Sequence, residues 1–154
     1  MSYHIEVSGL EGQSELHSPL AEAAIKTLSL SGRNTGGLSI KLTDDETMRE
    51  FHAQYLGEEK TTDVLSFPLG EIDPETGRPY YGDILISLPQ AQRQADAAGH
   101  SLQAELALLV VHGVLHLLGH DHADSEAESA MWQKQDEALR ELGIEIETTY
   151  QDET

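Results

Sequence analysis

The sequence contains no cysteine, so no disulfide framework can brace it, and any zinc site must be built from imidazole and carboxylate rather than thiolate. Long apolar runs are missing as well: the longest, Leu106 to Val111, falls far short of the roughly 20 residues that a membrane-spanning helix needs. At the N-terminus no basic stretch leads into an apolar one, and acids follow the polar pause at Ser8-Gly9, which argues against a signal peptide. These absences lead to the expectation of a soluble, cytoplasmic protein with no membrane partner. Bases are scarce: nine Lys and Arg stand against 28 Asp and Glu, for a formal net charge of -19. Residues 123–154 carry ten acids and only Lys134 and Arg140 as bases. A surface of this kind repels polyanions at long range and steers nucleic acid poorly. Binding RNA would require a local positive centre, such as a bound dication beside a few Lys or Arg. The plain alternative is that the acidity keeps the protein soluble.

There is no internal repeat, low-complexity tract or Pro/Ser-rich linker, and 154 residues suit one domain with a real core, so residues 1–154 are read as a single domain. Tyr3, Ile5 and Val7 alternate with polar neighbours as a first strand, and Leu38, Ile40 and Leu42 as a second. Asp63 to Phe67, stopped by Pro68, is a third, and Asp83 to Ser87 a fourth, with a turn-rich stretch over residues 73–79 between them. Pro19 to Leu30 has helical spacing, and Thr43-Asp44-Asp45-Glu46 has the form of a capping box opening a helix that Gly57 ends. Ser87 caps a helix to Ala98, and Ser101 to Leu118 is the most apolar helix in the chain, ended by Gly119. Ser125-Glu126-Ala127-Glu128 is a second capping box, opening a helix with Met131, Trp132, Leu139 and Leu142 near one face, before an acidic tail expected to fray. The pattern predicts an α/β (α+β) fold: a mixed sheet of about four strands packed with helices, the apolar helix central and a metal site at its end.

Four of the eight histidines fall in His112-Gly113-Val114-Leu115-His116-Leu117-Leu118-Gly119-His120-Asp121-His122. Positions four apart share one helix face, so His112 and His116 can offer ring nitrogens to one metal. Gly119 lets the chain turn out of the helix so that His122 can return as a third ligand, leaving the fourth tetrahedral position for water, the arrangement of a catalytic zinc. Satisfied core histidines, or a purely structural zinc, are the blander readings of the same residues. His120 is read either as a fourth ligand or as a supporting or substrate-facing group, and Asp121 either as an acceptor for a histidine N–H or as a solvated turn residue. The same offsets occur in metzincin proteases, where a glutamate follows the first histidine as general base, but here that position is Gly113.

The histidine segment resembles the signature of the YbeY family of bacterial rRNA-maturation endoribonucleases, His-Gly-x-Leu-His-Leu-x-Gly-aromatic-Asp-His. Thr62-Asp63-Val64-Leu65-Ser66-Phe67-Pro68 is similar to that family's second hallmark and Gly82-Asp83-Ile84-Leu85-Ile86 to its third, so the resemblance spans roughly residues 36 to 142 in the right order. It implies an α/β fold, one Zn2+ per chain on His112, His116 and His122, and a single-strand-specific endoribonuclease. The implied role is maturation of the 16S rRNA 3′ end and ribosome quality control, with single-stranded or ribosomal RNA, ribosomal subunits or ribosome-associated proteins as partners. Two positions depart from the family pattern. Leu56 stands where the family usually has an arginine facing the cleft, leaving Lys60, otherwise an ordinary surface lysine, as the nearest cation for phosphate, and His120 occupies the usual aromatic position.

For the reaction, zinc can acidify a bound water, and RNA also carries its own nucleophile in the ribose 2′-hydroxyl; the first route is favoured. Asp63 and Asp83 are candidate general bases, although strand-end aspartates more often form turns. Two other functions fit part of the pattern. One is a metalloprotease-like amide hydrolase, on the histidine spacing; the other is a ribosome-associated protein with a structural zinc and little nuclease activity, on Leu56 and the acidic surface.

Overall fold

The computed structural model describes residues 2–9, 12, 14–56, 64–120 and 125–144, with side chains left aside for 51–56. In chain order the elements are β1 (Ser2–Gly9), a 3-10 turn at Ser14–Leu16, α1 (His17–Leu30), β2 (Thr35–Thr43), α2 (Asp45–Leu56), β3 (Val64–Ile72), β4 (Pro79–Ser87), α3 (Leu88–Ala98), α4 (Leu102–Leu117) and α5 (Ser125–Glu141). The strands form one mixed sheet in the order β1-β2-β4-β3, with β1, β2 and β4 parallel and β3 antiparallel to β4. This is the expected α/β architecture of four strands and helices around one apolar helix.

Every second residue of β2, namely Leu38, Ile40 and Leu42, is buried in the main core with Ile84 and Ile86 of β4; α1 and α4 cover that face, and α5 packs on both helices. Met48 of α2 packs with Leu65, Leu85 and Phe67 on the opposite face. β4 therefore has apolar residues on both sides, which is why its sequence runs Ile84-Leu85-Ile86 without a polar gap. Helix α4 lies at the centre, and Leu106 to Val111 are all buried. Ser101 caps it, its Oγ accepting the Ala104 N–H at 3.1 Å.

Several boundaries differ from the expected ones: β4 begins at Pro79 rather than Asp83, and α1 at His17 rather than Pro19. β3 does not stop at Pro68 but runs on to Ile72, because it is an edge strand, where a missing N–H costs no ladder bond, and its register against β4 shifts between Pro68 and Glu71. The cap of α2 is Asp44 rather than Thr43: Asp44 Oδ1 accepts the Thr47 N–H at 2.8 Å, which lowers the Asp44 pKa, while Thr43 remains buried at the end of β2. Ser125 is the first helical residue of α5, and what precedes it lies outside the described residues. Ser87 caps α3 as expected, accepting from the Gln90 N–H, and its hydroxyl also donates to Asp45 Oδ1 at 2.7 Å, which with Arg93 keeps the Asp45 pKa low and ties α2 to β4 and α3.

The close seating of α4 on the sheet depends on Gly113. A Cβ there would lie 3.1 Å from both Cδ1 and Cγ2 of Ile84 and 3.3 Å from Ser66 Oγ. Ile84 is fully buried and has little room to give. Gly113→Val should therefore destabilise the protein by about 1–3 kcal/mol in urea denaturation, the usual cost of overpacking, because valine's better helix propensity than glycine's offsets only a few tenths of a kcal/mol. Stability equal to wild type would show that α4 has slack against the sheet.

Candidate metal centre

His112 and His116 sit one turn apart in the C-terminal half of α4, each half-buried. Their Nε2 atoms are 3.1 Å apart, and the rings meet edge-on with centroids 4.6 Å apart. Two nitrogens on one tetrahedral zinc, each about 2.0–2.1 Å from the ion, are separated by about 3.3 Å, so the pair has the spacing of two ligands of one metal. The location suits a cation, because the exposed carbonyls of a helix C-terminus carry partial negative charge. His112 Nδ1 lies 3.1 Å from Oε1 of Gln135, a fully buried residue of α5. A ring that donates from Nδ1 keeps the Nε2 lone pair for a metal, so the donor chemistry fits.

After α4, Gly119 takes φ +103, a left-handed conformation that other residues seldom adopt, and the helix closes with the His120 N–H on Leu115 O at 3.0 Å and the Gly119 N–H on His116 O at 3.0 Å. The sharp exit expected at Gly119 is thus present. His120 is half-buried, its backbone committed to this cap. The expected third ligand His122, with Asp121, lies outside the described residues, as do Asp63, Lys60 and the Leu56 side chain. Among the described residues no group of three metal-type ligands is assembled, since the pair lacks its expected third member there.

Asp83 is not brought to the histidines. Its neighbour Ile84 faces α4, whereas Asp83 pairs across the ladder with Phe67, which packs on the α2 side of the sheet. Its carboxylate accepts a 2.5 Å hydrogen bond from the Tyr80 hydroxyl, which is also 2.6 Å from Ser39 Oγ. Partial burial, followed by the bond to Asp83, pushes the Tyr80 phenol up to about 12. As placed, Asp83 is a structural acceptor, and a general-base role at the histidine pair has no support from the geometry.

Gly113 occupies the position that bears the glutamate base in metzincins. It faces Ile84 and Ser66 of the sheet at contact distance, so a carboxylate side chain there would have to push Ile84 aside. Gln135, by contrast, is a polar neighbour of the pair that the sequence pattern did not reveal. Its one signal was a glutamine between Met131 and Leu139 on the apolar stripe of α5.

Fold and site together define an α/β protein with a metal-type imidazole pair at the end of its central helix. The family model described as Endoribonuclease YbeY matches residues 7–143. A Halalkalibacterium halodurans protein named Endoribonuclease YbeY is 43% identical over 115 residues, 70% of this chain and 72% of that one. Its Mycobacterium ulcerans namesake is 39% identical over 155 residues, 96% of this chain and 87% of that one. A solution structure from Thermotoga maritima superposes with TM-score 0.64 at 28% identity, covering 90% of this chain and 89% of that one. The chain belongs to the YbeY family, and so to a family of RNA hydrolases.

The Tyr80 to Asp83 bond gives a prediction with a definite sign. The folded pKa is raised, so Tyr80 contributes stability that is fully present below its unfolded value near pH 10 and is lost as pH rises toward 12. Urea denaturation at pH 9 and pH 11 should show wild type losing more stability over this interval than Tyr80→Phe. Equal losses would mean that Tyr80 does not couple ionisation to folding.

Proposed function

We propose that this protein is a zinc-dependent, single-strand-specific endoribonuclease that acts in the cytoplasm on ribosomal RNA, in maturation of the 16S 3′ end and in ribosome quality control. The 3.1 Å pairing of His112 and His116 Nε2 carries the metal part of this reading, and membership of the endoribonuclease family carries the RNA part. Zinc on His112, His116 and His122 would supply Lewis acidity, able to polarise a phosphoryl oxygen and acidify water. The chain's own contribution is positional. α4 holds the two rings in register, Gly119 turns the chain sharply out of the helix, and the position next to His112 is a glycine rather than a base.

That last feature favours phosphodiester over amide hydrolysis. An amide hydrolase of metzincin type needs a carboxylate next to the metal, whereas attack by metal-acidified water on a phosphodiester would need mainly charge stabilisation at the phosphate. The acidic surface and Leu56 favour slow turnover rather than another reaction, since both weaken attraction for phosphate.

Protein purified from zinc-replete expression should carry about one zinc per chain, as tetrahedral sites of this kind bind a single ion. His112→Ala, His116→Ala and His122→Ala should lose it, while His120→Ala and Asp83→Asn should retain most of it. Metal analysis decides this, and a zinc-free wild type refutes the assignment.

The wild type should cleave single-stranded RNA slowly and leave an unfolded peptide uncut, with activity abolished by chelation and by His116→Ala. Leu56→Arg should raise the rate. Product ends without a 2′,3′-cyclic phosphate are expected, indicating attack by water; cyclic ends, with 2′-O-methylated RNA spared, would indicate the 2′-hydroxyl instead. Full zinc loading without cleavage of any RNA would favour a structural metal in a ribosome-associated protein.

A further inference from the structure

Gln135 is a primary amide with no exposure at all, set in α5 beside Met131, Ala138 and Leu139 of the main core. Burying such a group is unfavourable unless its polar atoms are bonded, and only half of this one is compensated. Its Oε1 lies 3.1 Å from His112 Nδ1, while among the described residues its Nε2 has no partner. A methionine would fill similar volume without an unmet amide. The glutamine is therefore costly as packing, and what it provides is an acceptor at one nitrogen of one histidine.

We propose that Gln135 is a positioning residue for the metal centre: by accepting the His112 Nδ1–H, it selects the tautomer whose Nε2 lone pair points toward His116 Nε2. This inference rests on the metal-centre reading. An imidazole can ligate through Nε2 only if that nitrogen is unprotonated, and in the neutral ring the proton must then sit on Nδ1. The opposite amide orientation would donate to Nδ1 and leave the proton on Nε2, where it blocks coordination. Because Gln135 belongs to α5 and His112 to α4, the bond also makes the docking of α5 a condition for a well-aimed ligand.

The test compares full-length wild type, Gln135→Met and Gln135→Glu. Zinc affinity is measured by competition with a chromophoric chelator, and stability of the zinc-free proteins by urea denaturation. Gln135→Met should lower zinc affinity roughly 10- to 100-fold, the usual effect of removing a partner that orients a ligand. Its zinc-free form should be as stable as wild type or more so, because the unmet amide is gone. Gln135→Glu keeps an acceptor and should hold affinity within a few-fold of wild type. A purely structural role would show the reverse, with the methionine variant unaffected in affinity or both variants impaired alike, and either result overturns the proposal. A wild type that binds no zinc removes the metal-centre reading itself, whereas tight binding by both wild type and Gln135→Met removes only the role of Gln135.

Discussion

The site depends on how closely α4 lies against the sheet. A glycine at position 113 lets the helix backbone approach Ile84 and Ser66 so closely that a Cβ there would press on both side chains. That contact fixes the rotation of α4 about its axis. Gly113 points into β4, so the neighbouring histidine is carried round toward α5, and the helical repeat brings the other histidine onto the same line. A larger residue at 113 would roll or lift the helix and take both rings with it. The packing of α4 and the placing of the histidine pair are consequences of the same contact.

The two faces of the sheet divide the polar chemistry between them. On the α4 side the histidine pair lies at the rim of the apolar core, near a helix C-terminus that favours cations. On the other side the Tyr80, Ser39 and Asp83 side chains satisfy one another by short hydrogen bonds. The Asp83 carboxylate is held on that side of the sheet by the Tyr80 hydroxyl. The local surroundings of the histidines thus differ from the average field of an acidic protein, and net charge alone says little about what can bind there.

What the sequence made legible was whatever has a fixed local period. Two histidines four apart on an apolar helix had to share a face, and Gly119 beyond them had to end it; both follow from helix geometry alone. The order of strands and helices was legible for the same reason. Facing was not. In β4 the run Ile84-Leu85-Ile86 hides the alternation because both sides are apolar, so nothing local showed that Asp83 turns away from α4. Pro68 was read as a stop because an edge position cannot be known before the strand order is. Asp44 displaced Thr43 as a cap because β2 runs one residue further into the core and buries the threonine. The role of Gln135 depends on which helix packs on His112, a contact between residues 23 apart that no periodicity encodes.

The missing glutamate, which weakens a metalloprotease reading, becomes informative once its cause is seen. In the metzincin spacing the residue after the first histidine serves the chemistry; here it serves the packing of the helix, and the two uses exclude each other. A site that gives up its adjacent base in this way is suited to substrates whose reaction needs charge stabilisation and alignment more than proton abstraction by the protein. RNA phosphodiesters are such substrates, because attack on them builds negative charge on phosphoryl oxygens that a bound cation would stabilise. The glycine that seats α4 on the sheet is thus the same residue that favours RNA over peptide as the substrate of this site.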